Sequence, residues 1–248
     1  MTLYEIVRQS MEPILPPLYK QVRARLRKEI SGLDSPSILD VGGRKSPYTI
    51  GLPAKITILD LPRESEVQNS LNLGINDGIV KQVKDRRSNI ESVIFGDMTE
   101  SDLPSESFDL VVSVEVLEHV EMDARFVSEV SRVLRPGGRF LMTTPNGDFV
   151  ENHNPDHKRH YRREQLFDLL SDHFETVSVE YAIAGGYYRK VGLRSWSARH
   201  PIKTTMSAAG NIVNSVQSSR DGIHEQAIGT HHLIAIAAKA APVSERSI

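Results

Sequence analysis

The chain has 248 residues, 39% apolar and 25% charged, an ordinary globular mixture long enough for one sizeable core or two small ones. Lys and Arg number 30 against 32 Asp and Glu, so no whole-molecule basic field exists to concentrate nucleic acid, and DNA is not expected as a partner. The absence of cysteine excludes disulfides, thiolate nucleophiles, Cys-ligated zinc and iron–sulfur clusters. The N-terminus lacks the basic-then-apolar pattern of a signal peptide, and no apolar run approaches the ~20 residues of a membrane span. The expectation is a soluble, cytoplasmic protein.

Residues 1–34 read as helical: Leu18, Val22, Leu26 and Ile30 recur every four residues, and Pro13, Pro16 and Pro17 break the region into two pieces. Short runs rich in β-branched residues follow at Ser37–Val41, Lys55–Leu61, Ser92–Gly96, Phe108–Val114 and Arg139–Thr144. Most are continuously apolar, as strands buried on both faces of a parallel sheet should be. Between them Glu121–Leu134 has a helical stripe of Phe126, Val127, Val130, Val133 and Leu134, and Arg135-Pro136-Gly137-Gly138 is read as its stop. Strands alternating with helices predict an α/β fold with a doubly wound, mainly parallel sheet. Beyond residue 145, Glu164–Leu170 reads as a helix, and Thr176–Ala182 and His231–Lys239 as strands. Residues 183–230 show weak periodicity and are read as an insertion lying over the site.

Ligands of open α/β sheets bind at the carboxyl ends of the strands. The first strand runs through Asp40 into Gly42-Gly43, where backbone N–H groups can approach a ligand closely. Asp60 follows at the end of the second strand, at a spacing that suits a carboxylate accepting from ribose hydroxyls. From Gly42 the sequence reads Gly-Gly-Arg-Lys-Ser-Pro, without the second and third glycines of a dinucleotide fingerprint, and no phosphate-loop motif occurs.

These residues resemble the class I S-adenosylmethionine-dependent methyltransferases, in their small-molecule branch. Four motifs arrive in that family's order across about residues 36 to 146: Ile38-Leu39-Asp40-Val41-Gly42-Gly43; Leu59-Asp60-Leu61; Gly96-Asp97-Met98 leading to Ser107–Val120; and Arg132–Phe140 around Pro136-Gly137-Gly138. The resemblance implies a seven-stranded sheet with the last strand antiparallel, and S-adenosyl-L-methionine as cofactor, with S-adenosyl-L-homocysteine as product. Asp40 with Gly42-Gly43 would face the methionine part. Asp60, beside Leu61, would hold the ribose hydroxyls; Asp97 would accept from the adenine amino group with Met98 beside the ring; Ser113 and Val114 would contact the methionyl moiety. The family's first loop usually has glycines at the places of 42, 44 and 46; here Arg44 and Ser46 replace two of them. Either Gly43 supplies the positive-φ residue of a different loop path, or cofactor binding is weakened. Arg44 or Lys45 would then pair with the cofactor carboxylate.

Methyl transfer is an in-line displacement from a sulfonium, so the protein must chiefly align the reactants and exclude water. A base is needed only where the acceptor must lose a proton. The expected reaction is O- or N-methylation of a small-molecule acceptor, anionic or aromatic in character. In the loop after the fifth strand, His157, His160 and Tyr161 are the candidate base group, since imidazole titrates near neutrality. The three histidines His153, His157 and His160 are not read as a metal site, for want of a carboxylate–histidine pattern in that loop. Lys158, Arg159, Arg162 and Arg163, with Tyr187, Tyr188, Arg189, Lys190, Arg194, Trp196, Arg199 and Lys203 of the insertion, are expected to close over such an acceptor, to form an RNA or anionic-lipid surface, or to form a solvated basic face. The organisation expected is a single domain over 1–248: an N-terminal helical cap at 1–34, a cofactor-binding core at 35–146, and an acceptor-side half at 147–248. The cap either covers the acceptor or mediates dimerisation; oligomeric state is left open. The rival readings are a methyltransferase-like binding protein without turnover and a dinucleotide-dependent oxidoreductase or epimerase.

Overall fold

In the computed structural model, which describes residues 1–63, 74–193, 196 and 199–241, strands and helices alternate along the chain. Helices α1 (Leu3–Ser10) and α2 (Pro17–Glu29) come first, then strands β1 (Ser37–Val41) and β2 (Lys55–Asp60), helix α3 (Asp77–Arg86) and strands β3 (Ile90–Phe95) and β4 (Phe108–Val114). Helix α4 (Asp123–Val133) leads into β5 (Leu134–Pro145), followed by α5 (Arg163–Ser171), β6 (Thr176–Ala184), α6 (Tyr187–Gly192), α7 (Pro201–Gln217) and β7 (Thr230–Ala238). The seven strands form one sheet in the order β3-β2-β1-β4-β5-β7-β6, with β7 antiparallel to both its neighbours and the remaining pairs parallel. Strand order reverses between β1 and β4, and a crevice therefore opens at their carboxyl ends. Among the described residues no helix is long and apolar enough to cross a membrane.

The continuously apolar strand sequences have a direct cause. Alternate residues serve cores on opposite faces of the sheet: Leu39, Val41 and Val111 pack with Phe126, Val127 and Phe140, whereas Ile38, Leu110 and Val112 pack with Leu18, Val22 and Leu26. Helix α2 lays its four-residue stripe against the sheet, with Val22 and Leu26 fully buried. It covers the core, and its first turn, through Tyr19, also lines a cavity between α2, α6 and α7. Full burial of each such side chain stabilises by about 1.5–3 kcal/mol, so removal of 1–34 would expose the sheet.

Two local readings are corrected. Arg135–Gly138 does not follow the helix as a separate stop; it forms the irregular first turn of β5, with Gly137 at φ 77°. Gly42, not Gly43, takes the left-handed backbone, at φ 73°. Between β6 and β7 the described residues include α6 and α7, and α7 packs on α6, α2 and β6.

Candidate active site

The carboxyl ends of β1, β2, β3 and β4 surround a cavity of about 450 Å³, within the usual range for small-molecule sites. Gly42, Asp60, Leu61, Asp97, Met98 and Val114 line it. Asp60 ends β2; its Oδ1 accepts from the Leu61 N–H at 2.9 Å, and its Oδ2 lies 3.7 Å from Arg44 Nε. Burial raises the Asp60 pKa, opposed chiefly by the Arg44 guanidinium. Asp97 caps the 3-10 turn Met98–Glu100, its Oδ1 accepting from the Thr99 N–H and hydroxyl, both at 2.8 Å.

Asp40, Gly43 and Ser113 do not line this cavity. Asp40 is fully buried beneath the loop, accepting from Tyr48 Oη at 3.1 Å and Thr49 Oγ1 at 2.9 Å. Burial pushes its pKa up to about 6, against the opposing charge of Arg87. Gly43 is required for another reason than backbone freedom: a Cβ there would stand 2.1 Å from Asp40 Cγ. The loop thus wraps a buried carboxylate. Arg44, standing at one missing glycine, reaches Asp60 rather than only open solvent.

A second cavity, about 130 Å³, lies between α2, α6 and α7 and includes Tyr19, Arg189, Asn214 and His232. Among the described residues, Glu115 alone lines both cavities. It follows β4 in the left-handed region at φ 55°, a strained placement for a non-glycine residue. Its Oε1 accepts from Thr143 Oγ1 at 2.9 Å and its Oε2 lies 3.4 Å from His232 Nε2. Burial alone would raise the Glu115 pKa, but the His232 charge and hydrogen bonds hold it low, so the carboxylate is kept ionised. Asn214 Oδ1 and His232 Nδ1 are buried without hydrogen-bond partners. Sequence reading quoted Glu115 within a motif without assigning it a role. Only the fold brings it to His232, on a distant antiparallel strand.

His157, His160 and Tyr161 line neither cavity. Tyr161 is buried with its hydroxyl donating to Asp123 Oδ2 at 2.8 Å, and burial with that carboxylate raises its pKa far above the ordinary value. A phenol so held is a brace for α4 and a poor proton carrier. His157 and His160 are joined at 2.8 Å, and burial lowers the His157 pKa. His119, in the turn after β4, does line the first cavity. The expected cluster of cations is mostly committed to structure: Lys158 meets Glu121, Arg159 meets Asp123, and Arg163 donates to the Val179 carbonyl. Trp196 donates to Ser207 Oγ at 2.9 Å, and Tyr187 is exposed. Arg189 alone of that group lines the second cavity; Arg194 lies outside the described residues.

Fold and crevice together define an α/β domain with a cavity of small-molecule size at the strand-order switch. Residues 51–142 match the family described as methyltransferase domain. A protein of Mycolicibacterium smegmatis named "Probable S-adenosylmethionine-dependent methyltransferase" is 36% identical over 135 residues, 52% of this chain and 51% of that protein. One of Mycobacterium tuberculosis with the same designation is 36% identical over 126 residues, 49% of this chain and 44% of its own length. The chain therefore spans about half the length of the curated relatives it matches. Among solved structures, phosphoethanolamine N-methyltransferase 2 of Haemonchus contortus, in complex with phosphomonomethylethanolamine and S-adenosylhomocysteine, has a TM-score of 0.62 at 16% identity, covering 96% of this chain and 58% of that one. Residues 51–142 are thus similar to methyltransferase domains, and the likeness to the solved structures is one of fold.

Proposed function

We propose that the protein transfers a methyl group from S-adenosylmethionine to an oxygen or nitrogen of a small-molecule acceptor, with the cofactor in the larger cavity and the acceptor in the smaller. The observation that carries this reading is Glu115, common to both cavities and held ionised between Thr143 and His232. The cofactor supplies a methyl group on a cationic sulfur, already an excellent leaving group.

The remaining tasks fall to the chain. Asp60 holds the ribose hydroxyls, and Asp97 with Met98 takes the adenine edge and face. The cavity that contains these residues has the size and donor set for such a nucleoside. Glu115 Oε2 accepts the proton of an acceptor O–H or N–H. His232 beside it stabilises the carboxylate before transfer and orients it. Arg189 supplies a cation for an acidic group elsewhere on the acceptor, and Asn214 Oδ1 and His232 Nδ1 are the buried polar atoms that an acceptor would satisfy. Tyr19 and α6 shield the junction from water.

Calorimetric titration with S-adenosylmethionine and S-adenosylhomocysteine, with NAD as control, tests the cofactor half. Saturable binding of both sulfur nucleosides is expected, weakened at least ~10-fold in Asp60→Ala, because that substitution leaves ribose hydroxyls unpaired. No binding by folded protein would overturn it, whereas cofactor binding without turnover on any acceptor would favour a methyltransferase-like binding protein. A methyl-transfer screen over phenols, hydroxy acids and amines tests the acceptor half. With an acceptor in hand, Glu115→Gln should lower kcat by about 10²–10⁴-fold, the usual contribution of a positioned base.

A further inference from the structure

We propose that Glu118, His119 and His157 form a binding site for a divalent first-row transition-metal cation at the wall of the cofactor cavity. One potential ligand atom from each of the three side chains lies within 4.8 Å of the others. Glu118 is 1% exposed, and neither of its carboxylate oxygens has a hydrogen-bond partner. A buried carboxylate without donors is an expensive group unless a cation or a proton completes it. Two imidazoles stand beside this one.

The hydrogen bonds around those imidazoles decide which nitrogen each presents. The Val150 carbonyl can only accept, so a neutral His160 carries its proton on Nδ1, 2.8 Å from that oxygen. Its Nε2 is then an acceptor and takes the proton of His157 Nδ1 at 2.8 Å. His157 Nε2 is left with a free lone pair. His119 is fixed in the same sense by a different carbonyl: its Nδ1 is 3.1 Å from the oxygen of Asp156, which leaves Nε2 bare. Each neutral ring therefore carries its proton on Nδ1, held there by an outer partner, and keeps the Nε2 lone pair for a cation, the arrangement by which outer groups orient ligating histidines.

The backbone fixes the same geometry. Glu118 and His119 lie in the turn Leu117–His119, and the Lys158 N–H donates to the Glu118 carbonyl at 2.7 Å. The residue following His157 is thus tied to the turn that carries the other two ligands. Around a tetrahedral ion with bonds of about 2.1 Å, ligand atoms stand about 3.4 Å apart, so side-chain adjustments on the order of 1 Å close the site. Two imidazole nitrogens and one carboxylate suit zinc, cobalt or iron better than magnesium, which prefers oxygen ligands. His119 lines the cavity, so the ion would sit in its wall. The carboxylate missing from the histidine-rich loop comes from the turn after β4.

The test uses the full chain, stripped with chelator and titrated with zinc or cobalt chloride, with magnesium chloride as the contrasting ion. One equivalent of zinc or cobalt should bind, cobalt giving the visible absorption of a low-coordinate nitrogen–oxygen site, and magnesium should not compete. Glu118→Gln and His157→Ala should abolish that equivalent, and His160→Ala should weaken it by about 10–100-fold, the usual effect of losing an outer partner. His153→Ala, an exposed histidine of the same loop, should leave it intact. Absence of stoichiometric binding, or binding unaffected by Glu118→Gln and His157→Ala, overturns the proposal. Since metal alone is the probe, this outcome is separate from the cofactor assignment, which is followed by titrating S-adenosylhomocysteine into the same variants.

Discussion

At the scale of single residues, the first loop shows how one buried charge governs a local structure. Asp40 has an ordinary pKa of 3.8, raised to about 6 by burial despite Arg87 and its hydroxyl donors. Between those two values the folded protein holds a proton that the unfolded chain has released, so stability falls as pH rises through the window. The stabilising contribution is complete below the lower value and gone above the upper. Urea unfolding from about pH 4 to pH 8 should show wild type losing ground to Asp40→Asn up to about pH 6 and running parallel above it. Parallel curves throughout would mean that Asp40 does not titrate there. Arg44 offers a second reading of the same loop. It is the leading charge opposing the burial of Asp60, so Arg44→Ala should raise the Asp60 pKa further. If ribose hydroxyls donate to an ionised Asp60, acidification from about pH 7.5 to about pH 5.5 should weaken nucleoside binding more in Arg44→Ala than in wild type. Equal losses in calorimetry at the two pH values would separate Arg44 from the cofactor.

Among the elements, α7 explains why part of the chain was opaque to sequence reading and the rest was not. Strands β1, β2 and β4 were legible because both faces are covered, which forces continuous apolar runs, and α4 was legible because Phe126, Val127, Val130 and Val133 all point inward. In α7 the pattern is inverted: Ser207, Asn211 and Asn214 are buried, while Ile202 is 76% and Val216 66% exposed. The polar side chains face inward because they serve particular backbone groups; Asn211 Nδ2 donates to the Ile14 carbonyl at 3.0 Å and Asn214 Nδ2 to that of Ala184 at 2.7 Å. Periodicity rules look for apolar residues inside and find no coherent inner stripe here. Asp60 was readable as a cavity residue because it ends a strand, and Asp97 and Val114 through the family resemblance; all three line the cavity. Glu115 and the group Glu118, His119 and His157 were not, because their partners come from remote segments. The inversion is testable by thermal or urea unfolding. Asn211→Ala, which removes a buried amide and its hydrogen bond to the half-buried Ile14 carbonyl, should destabilise by about 1–3 kcal/mol, whereas Val216→Ser should change stability by less than about 0.5 kcal/mol. The reverse order would place the apolar stripe inside.

Across the whole molecule, the two cavities are assembled from different parts of the chain, and that division predicts how function should come apart. The larger one is made by the ends of β1 to β4 and the turns that follow them. The smaller one needs Tyr19 from the start of the chain, Arg189 and Asn214 from the segment between β6 and β7, and His232 from the strand inserted beside β5. Among the described residues the lining sets share Glu115 alone. Substitutions in the smaller cavity should therefore move acceptor affinity and leave the nucleoside untouched. Arg189→Ala removes a half-buried cation facing Glu115, and Tyr19→Ala opens the wall beside it; each should raise the KM of an acidic acceptor by about 10-fold or more, the scale of one lost charge-assisted bond. Calorimetry with S-adenosylhomocysteine should give the wild-type Kd within about twofold for both variants, since neither side chain lines the cofactor cavity. Asp60→Asn should show the opposite split, with weakened nucleoside binding and an acceptor KM little changed at saturating cofactor. If Arg189→Ala weakened the nucleoside as strongly as Asp60→Asn, the two cavities would be one site and the acceptor would have to enter elsewhere.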